Sequence, residues 1–254
     1  MLPAYSSVMA GALGNVEDIE RILCKTLTPL GFEVYPFKIG WYNEVLSPSL
    51  HLPYPADTLA VVVLSTPSMF ERAFRPFLER GSCVGVNDPI DQCIRQCITA
   101  CISQVQPHYD YEMLPSRKPK FLAQTAAHVS GAAYYYQRAD VTEDPWGERK
   151  MFGVCIHPKL GGWFAIRALL VFPSVMAGEE LQRRTPPNCV PSQESRIDLL
   201  ERFNFRWQDW SYRDIVPTAE RYSQDQQTYF STPPGQRAAL LRDWGLLPNE
   251  DSCS

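Results

Sequence analysis

The sequence predicts an α+β fold, and three observations carry that reading. Residues 59–64 form a continuous apolar run with three valines, the pattern of a strand buried on both faces. Several other stretches repeat apolar residues at the three- and four-residue steps of an amphipathic helix. Strands and helices follow one another without strict alternation, which separates the chain from a doubly wound parallel sheet. With 254 residues, 45% of them hydrophobic and 20% charged, the chain can bury a core without crosslinks and is too apolar to stay disordered.

The elements are expected in the following order. Residues 1–14 are small and apolar without a period and read as a poorly ordered leader, ahead of one domain over 15–254. Asn15 caps a first helix, in which Ile19, Ile22, Leu23, Leu27 and Leu30 keep helical spacing until Gly31. A strand over 32–37 and an aromatic, proline-rich loop over 41–55 precede the apolar strand. Thr66-Pro67 opens a second helix, which Pro76 should kink. Asp88-Pro89 opens a third, with Asp91 at the capping-box position. A strand is expected over 108–114, a basic turn over 116–120, and a β-hairpin from 152–157 and 163–172. Residues 174–191 read as a loop. Helices over 192–203, 223–230 and 232–244 make the stretch 190–254 mainly helical.

Charge and cysteine usage narrow the class. A net charge of −4, from 24 basic and 28 acidic residues, argues against a general nucleic-acid binder. No apolar run reaches the length of a bilayer span. The eight cysteines are too sparse for a disulfide scaffold. The first basic residue is Arg21, so the leader lacks the charged start of an export signal. Reduced thiols in the cytoplasm are the expectation.

Nucleotide, dinucleotide, zinc-protease and hydrolase signatures are all missing from the chain. Cys93, Cys97 and Cys101 stand at steps of four on one helix. That spacing lines three sulfurs along a stripe, interleaved with isoleucines, and reads as core packing instead of a metal site. His157 reads as a turn histidine and His128 as a satisfied histidine among alanines. Two features are less ordinary. The segment AQTAAHVSGAAYYYQR (123–138) is rich in small residues and ends in three tyrosines. It suits either close helix packing or the approach of a flat body to the backbone. Arg167, Arg213 and Arg237 each lie beside aromatics or turns, where surface ion pairs are the ordinary use.

These segments carry a resemblance. The stretch 123–138, GVCIHPKLGGWFAIR (153–167), FNFRWQDWSYRD (203–214) and AERYSQDQQTYFSTPPGQR (219–237) closely resemble the cobalamin-trafficking CblC, or MMACHC, family. So do GFEVYPFKIGWYNE (31–44) and LSTPSMFERAFRPFL (64–78). The resemblance spans residues 15–240. It departs at the leader, in the loop 174–187 and at the C-terminus. Cys97 and Cys101 are not part of the family pattern.

The resemblance implies a sandwich like that of flavin-dependent nitroreductases, with a C-terminal helical segment and the cavity given over to cobalamin. It implies cobalamin bound with its benzimidazole tail off the metal, and removal of the upper ligand. Cyanide would leave reductively, with electrons from FAD or FMN supplied by an NADPH-linked flavin reductase. Alkyl groups would pass to glutathione as co-substrate, with glutathione oxidation as a side reaction if Co(I) meets oxygen. Carried over by motif position, Asp110, Phe121, Leu122, Ala123, Gln124, His128, Tyr135, Tyr136, Gln137, Cys155 and Ile166 would contact cobalamin, with no cobalt ligand from the protein. Arg167, Arg213 and Arg237 would bind glutathione, whose two carboxylates suit guanidinium forks. Implied partners are a CblD-type trafficking protein and the methionine synthase system, and a ligand-induced homodimer is left open. A non-catalytic cobalamin chaperone is the alternative, which loss of the three arginines would have favoured; all three are present. A plain flavin reductase is a second, against which the retained 121–137 segment argues.

Overall fold

The computed structural model describes residues 15–81, 88–101 and 105–248; the expected leader lies outside them. Helix α1 spans Val16–Leu27, and the Asn15 side chain accepts the Asp18 N–H at 3.0 Å, satisfying one of the otherwise unpaired first-turn donors. A short 3-10 turn, Thr28–Leu30, ends it at Gly31, whose φ is 85°. Strand β1 is Phe32–Lys38 and β2 is Thr58–Ser65, buried at every position. Between them lies a short helix α2, Ile39–Asn43, where only loop was expected. The Asn43 amide ties the proline-rich stretch back by pairing both backbone groups of Leu52.

After β2 the coil opens at Phe70, not at Thr66. A π-helical turn over Phe70–Phe74 runs into α3, Arg75–Glu79. Pro76 has no N–H to offer the carbonyl one turn back, so the helix widens just before it. Helix α4 is Pro89–Thr99, capped by Asp88, whose side chain accepts the Ile90 N–H. The other elements are β3 Gln106–Tyr109, α5 Ala123–Val129, β4 Tyr134–Tyr136, β5 Val154–Ile156, β6 Ala165–Met176, α6 Gln193–Phe205, α7 Gln224–Ser231 and α8 Arg237–Asp243.

Four strands form one antiparallel sheet in the order β1-β2-β6-β3, and β4 pairs with β5 in a second. Helices cover both faces of the larger sheet. Val61, Val63, Ala168, Leu170 and Phe172 point into a first core with α1, α3, α4, α7 and α8. Val62, Leu64, Leu169 and Val171 point the other way, into a second core with α2 and α5. The three-valine run is thus shared between two cores, which is why it is apolar without alternation. A third core joins the β4–β5 ribbon to α6 through Tyr136, Trp146, Ile156, Leu199 and Leu200.

Several expectations are corrected. The segments 152–157 and 163–172 do not pair as a hairpin. β5 pairs with β4, while β6 pairs with β2 and β3, because a strand apolar on both sides is buried only inside the larger sheet. The turn between them is real, with a bridge between His157 and Gly161, but it crosses from one sheet to the other. The strand expected over 108–114 is Gln106–Tyr109, β6 continues to Met176, and the last helix begins only at Arg237, after a 3-10 turn. Cys93 is buried in the first core, with Cys97 and Cys101 packed against it, as the interleaved isoleucines predict. Cys101 falls just beyond α4, and Ile102, expected in the same stripe, lies outside the described residues.

Gly31 joins α1 to the sheet. Its carbonyl accepts both the backbone N–H and the hydroxyl of Thr66, and a Cβ there would stand 2.4 Å from the Met69 nitrogen. Gly31→Ala should therefore destabilise the fold beyond the about 1–3 kcal/mol of a left-handed backbone alone. A thermal melt checks this; a variant that melts with the wild type would contradict it.

Candidate functional site

Residues expected to contact cobalamin gather on one side of the larger sheet. Phe121 and Cys155 are buried in the second core, and Leu122, Ala123, Tyr135 and Ile166 pack against it. The Tyr42 hydroxyl accepts the Leu122 N–H at 2.8 Å just where α5 begins. Across the small ribbon, Tyr135 stands opposite Cys155, and the Cys155 thiol donates weakly to the Gln124 carbonyl at 3.6 Å. Burial pushes that thiol well above its ordinary pKa, so Cys155 remains a neutral wall residue. His128 accepts the Tyr135 N–H through Nδ1 at 3.1 Å, and burial holds its pKa below the ordinary value. It is a neutral strut between α5 and β4.

Beside this wall lies a cavity of about 620 Å³ lined by Tyr135, Gln137, Met151, Phe152 and Gly153 among others. Gly153 lies under the Tyr135 ring, where any Cβ would come within 2.5 Å of Cε2. Gln124 and Gln137 are both exposed. Tyr136 departs from the set. Alternation along β4 turns its ring into the third core, where its hydroxyl accepts the Val190 N–H at 2.8 Å. Its side chain serves the ribbon's packing and is withdrawn from the wall that holds Tyr135.

The three arginines are brought together through aromatic rings. The Arg167 and Arg237 guanidiniums each lie 5.8 Å from the centre of the Phe230 ring. Phe230 meets Tyr222 at 5.6 Å, and Tyr222 lies 5.1 Å from the Arg213 guanidinium. Trp163, Trp210 and Tyr212 enclose Arg213 further. Guanidiniums over ring faces keep their charge while losing water.

Arg167 owes its position to a β-bulge. Val63 pairs with Ala168 but Leu64 with Ile166, leaving Arg167 as an extra residue. Ile166 and Leu169 therefore pack on the same core although they are three positions apart, which strict alternation forbids. Arg167 is buried, donates from Nε to Ser65 Oγ at 2.9 Å, and accepts the Asp110 N–H at its carbonyl at 3.1 Å. Asp110, expected at cobalamin, is thereby tied to the arginine set, while Ile166, one residue before Arg167, is where the apolar wall meets that set.

Arg213 is held by the turn after β5. The Gly162 N–H donates to the Arg213 carbonyl, and the Arg213 guanidinium donates to the Gly162 carbonyl. A Cβ on Gly161 would stand 2.3 Å from the same Arg213 oxygen. His157 anchors this turn. Its Nδ1 accepts the Lys159 and Leu160 N–H groups, each at 3.1 Å, which leaves the ring proton on Nε2. Nε2 lies 3.0 Å from the Tyr35 hydroxyl and 3.3 Å from Glu33 Oε2. The hydrogen bond from His157, aided by Tyr35, holds Glu33 below its ordinary pKa against the cost of burial.

Acidic residues face the arginines. Arg237 pairs with Asp88 at 3.3 Å. Asp91, expected as a capping residue, is half-buried and acts electrostatically on Arg167 and Arg237 instead. Burial, then the charges of Asp88 and Asp110, push its pKa up to about 6, with both arginines opposing. The sequence reading missed Asp88 and Asp91 here, together with Ser65, Tyr222, Tyr229 and Phe230. The last three lie inside the segment 219–237 that also holds Arg237, and two aromatics side by side on a short helix near an arginine were the available signal.

An α+β scaffold, an apolar wall beside a cavity, and three arginines on aromatic faces are the features of this site. Comparison with known proteins gives its family. The sequence model of the MMACHC family, the methylmalonic aciduria and homocystinuria type C family, matches residues 31–241. A zebrafish (Danio rerio) protein named cyanocobalamin reductase / alkylcobalamin dealkylase is 63% identical, over 96% of this chain and 100% of its own. The human (Homo sapiens) protein of the same name is 53% identical, over 89% of this chain and 82% of its own. The crystal structure of a Caenorhabditis elegans B12-trafficking protein, CblC, superposes with a TM-score of 0.81 at 35% identity, covering 92% of this chain and 97% of that one. The chain belongs to the MMACHC family. Among the described residues no helix is long and apolar enough to cross a membrane.

Asp91 gives a pH prediction. Its carboxyl is easier to protonate folded than unfolded, so its share of stability is present in acid and lost as pH rises through about 6. Asp91→Asn, neutral at every pH, should remove that pH dependence and the cost of the buried charge near neutrality. The melting-temperature advantage of the variant over the wild type should be largest near neutrality and shrink on acidification. A difference that stays constant across that range would refute the assignment.

Proposed function

We propose that this protein processes cobalamin: it binds the cofactor base-off and removes its upper axial ligand, as a cyanocobalamin reductase and an alkylcobalamin dealkylase. The observation that carries the reading is the meeting, at the adjacent residues Ile166 and Arg167, of the wall formed by Phe121, Leu122, Ala123, Tyr135, Cys155 and Ile166 with the three-arginine set. The names of relatives at 53–63% identity support the same activity. The helix-covered sheet supports a nitroreductase-like scaffold whose cavity serves cobalamin in place of a resident flavin.

The chemistry follows from the ligands of cobalt. With the benzimidazole nitrogen off the metal, cobalt loses a donor and is easier to reduce. The wall offers a desolvated thiol and apolar rings, and the neutral His128 spends its Nδ1 lone pair on the Tyr135 N–H and keeps its proton on Nε2, so none of them replaces that donor. Reduced FAD or FMN, regenerated by an NADPH-linked reductase, supplies electrons for decyanation, and cyanide leaves as an anion. For an alkyl group, glutathione is bound by Arg167, Arg213 and Arg237, and its sulfur attacks the carbon on cobalt. The guanidiniums grip carboxylates and raise the thiolate fraction nearby. The leaving cobalt is Co(I), which oxygen would consume. On this reading the work belongs in the cytoplasm, where thiols stay reduced and glutathione is supplied. A CblD-type protein and the methionine synthase system are the natural recipients.

Anaerobic spectra of methylcobalamin test both steps. Protein alone should shift the visible band to shorter wavelength, and added glutathione should convert it to the Co(I) spectrum. An unchanged spectrum at saturating protein would refute the binding step. Arg213→Ala and Arg237→Ala should each raise the glutathione requirement about ten- to a hundredfold, the effect of one lost charge-assisted contact of about 1.5–3 kcal/mol. Decyanation on the same preparations should persist. Equal loss of both reactions would instead assign these arginines to the packing of the fold.

A further inference from the structure

Tyr229 carries a group that packing does not explain. Its ring is fully buried on α7 among Phe70, Phe74 and Phe230, with ring centres 5.2–5.7 Å away. The Arg237 guanidinium lies 4.9 Å from its centre. The hydroxyl is buried and makes no hydrogen bond among the described residues. A phenylalanine would fill the same space without leaving a polar group unpaired, and an orphan of this kind calls for a ligand or a reaction to account for it.

The surroundings indicate which. Asp88, Arg237, Asp91 and Arg167 all act on the phenol electrostatically. The two arginines hold their guanidiniums against the one Phe230 ring next in sequence. Glutathione has a carboxylate at each end and its thiol in the middle. Gripped at its ends by the two guanidiniums, it would bring its sulfur toward the phenol that stacks under Arg237 and feels the charge of Arg167. Burial first, then Asp88, keep the phenol protonated well beyond neutral pH, so it can donate a hydrogen bond and not accept a proton.

We propose that the Tyr229 hydroxyl donates a hydrogen bond to the sulfur of glutathione and is a catalytic residue of dealkylation; this rests on the glutathione reading of the arginines. The thiol loses its proton to solvent, and the phenol stabilises the resulting thiolate. A sulfur lone pair then forms the S–C bond. The Co–C bond breaks with its electron pair left on the metal, taking Co(III) to Co(I), and no further oxidant or reductant enters.

Tyr229→Phe in the full-length protein tests this, because it keeps the ring and deletes only the hydroxyl. Anaerobic dealkylation of methylcobalamin by glutathione is followed from mildly acidic to alkaline pH, beside flavin-driven decyanation and a thermal melt. Dealkylation near neutrality should fall about tenfold, with the apparent pKa of the rate raised by about one unit. Decyanation and melting temperature should hold or rise. An unchanged pH profile overturns the proposal. So does a change confined to the KM for glutathione, which would place the hydroxyl on a carboxylate, and so does parallel loss of both reactions with a lowered melt. If the wild type itself shows no glutathione-dependent turnover, the arginine reading fails and the proposal falls with it.

Discussion

The pairing of β2 with β6 is the interaction on which the molecule depends. Both strands are buried on both faces along most of their length, so every alternate residue serves a different core. Two helical layers exist because these strands have two apolar sides to cover. The same pairing carries the irregularity that matters most. One extra residue in β6 breaks the alternation at Arg167, and a guanidinium reaches Ser65 and Phe230 where a regular strand would have placed it among Leu169 and its neighbours. A bulge disrupts a ladder locally; here the flanking pairs on both sides hold it in place.

A second chain of contacts runs from the opposite edge of the sheet. Glu33 and Tyr35 on β1 hold His157, His157 holds the turn, and the turn's paired glycines hold the backbone of Arg213. Arg167 and Arg213 are therefore positioned by different strands through different devices, a bulge and a turn. Their common surface is built from Tyr222 and Phe230 in the C-terminal segment. Each device transmits the rigidity of the sheet to a long cationic side chain that would otherwise sample many rotamers.

Charge balance around the arginines is close. Asp88, Asp91 and Asp110 lie near Arg167 and Arg237, and two of the three carboxyls are shifted upward, burial being the largest cause. These carboxyls face the same guanidiniums, and a protonated Asp91 draws on them less. The apolar wall has the opposite character, with a thiol raised by burial, a histidine whose pKa burial lowers, and apolar rings. Two adjoining surfaces thus differ sharply in polarity.

Much of this was legible along the chain. The three-valine run, the Asn15 cap, the Asp88-Pro89 start and the cysteine–isoleucine stripe are local patterns, and local patterns are set by backbone donors, side-chain volume and periodicity. The family motifs likewise marked Phe121 to Gln124, Tyr135 and the three arginines. What the sequence could not decide was pairing and facing. The turn at 157–161 was visible, but the sheets it connects were not, because pairing depends on which partner buries both faces of β6. Tyr135 and Tyr136 are identical letters in one motif, yet alternation sends one ring to the wall and the other into a separate core. Asp91 looked like a capping residue because capping is local, whereas its neighbours Arg167 and Arg237 are far away in sequence. Non-local packing alone brought the arginines to one aromatic surface, and it alone left the Tyr229 hydroxyl unpaired in their midst.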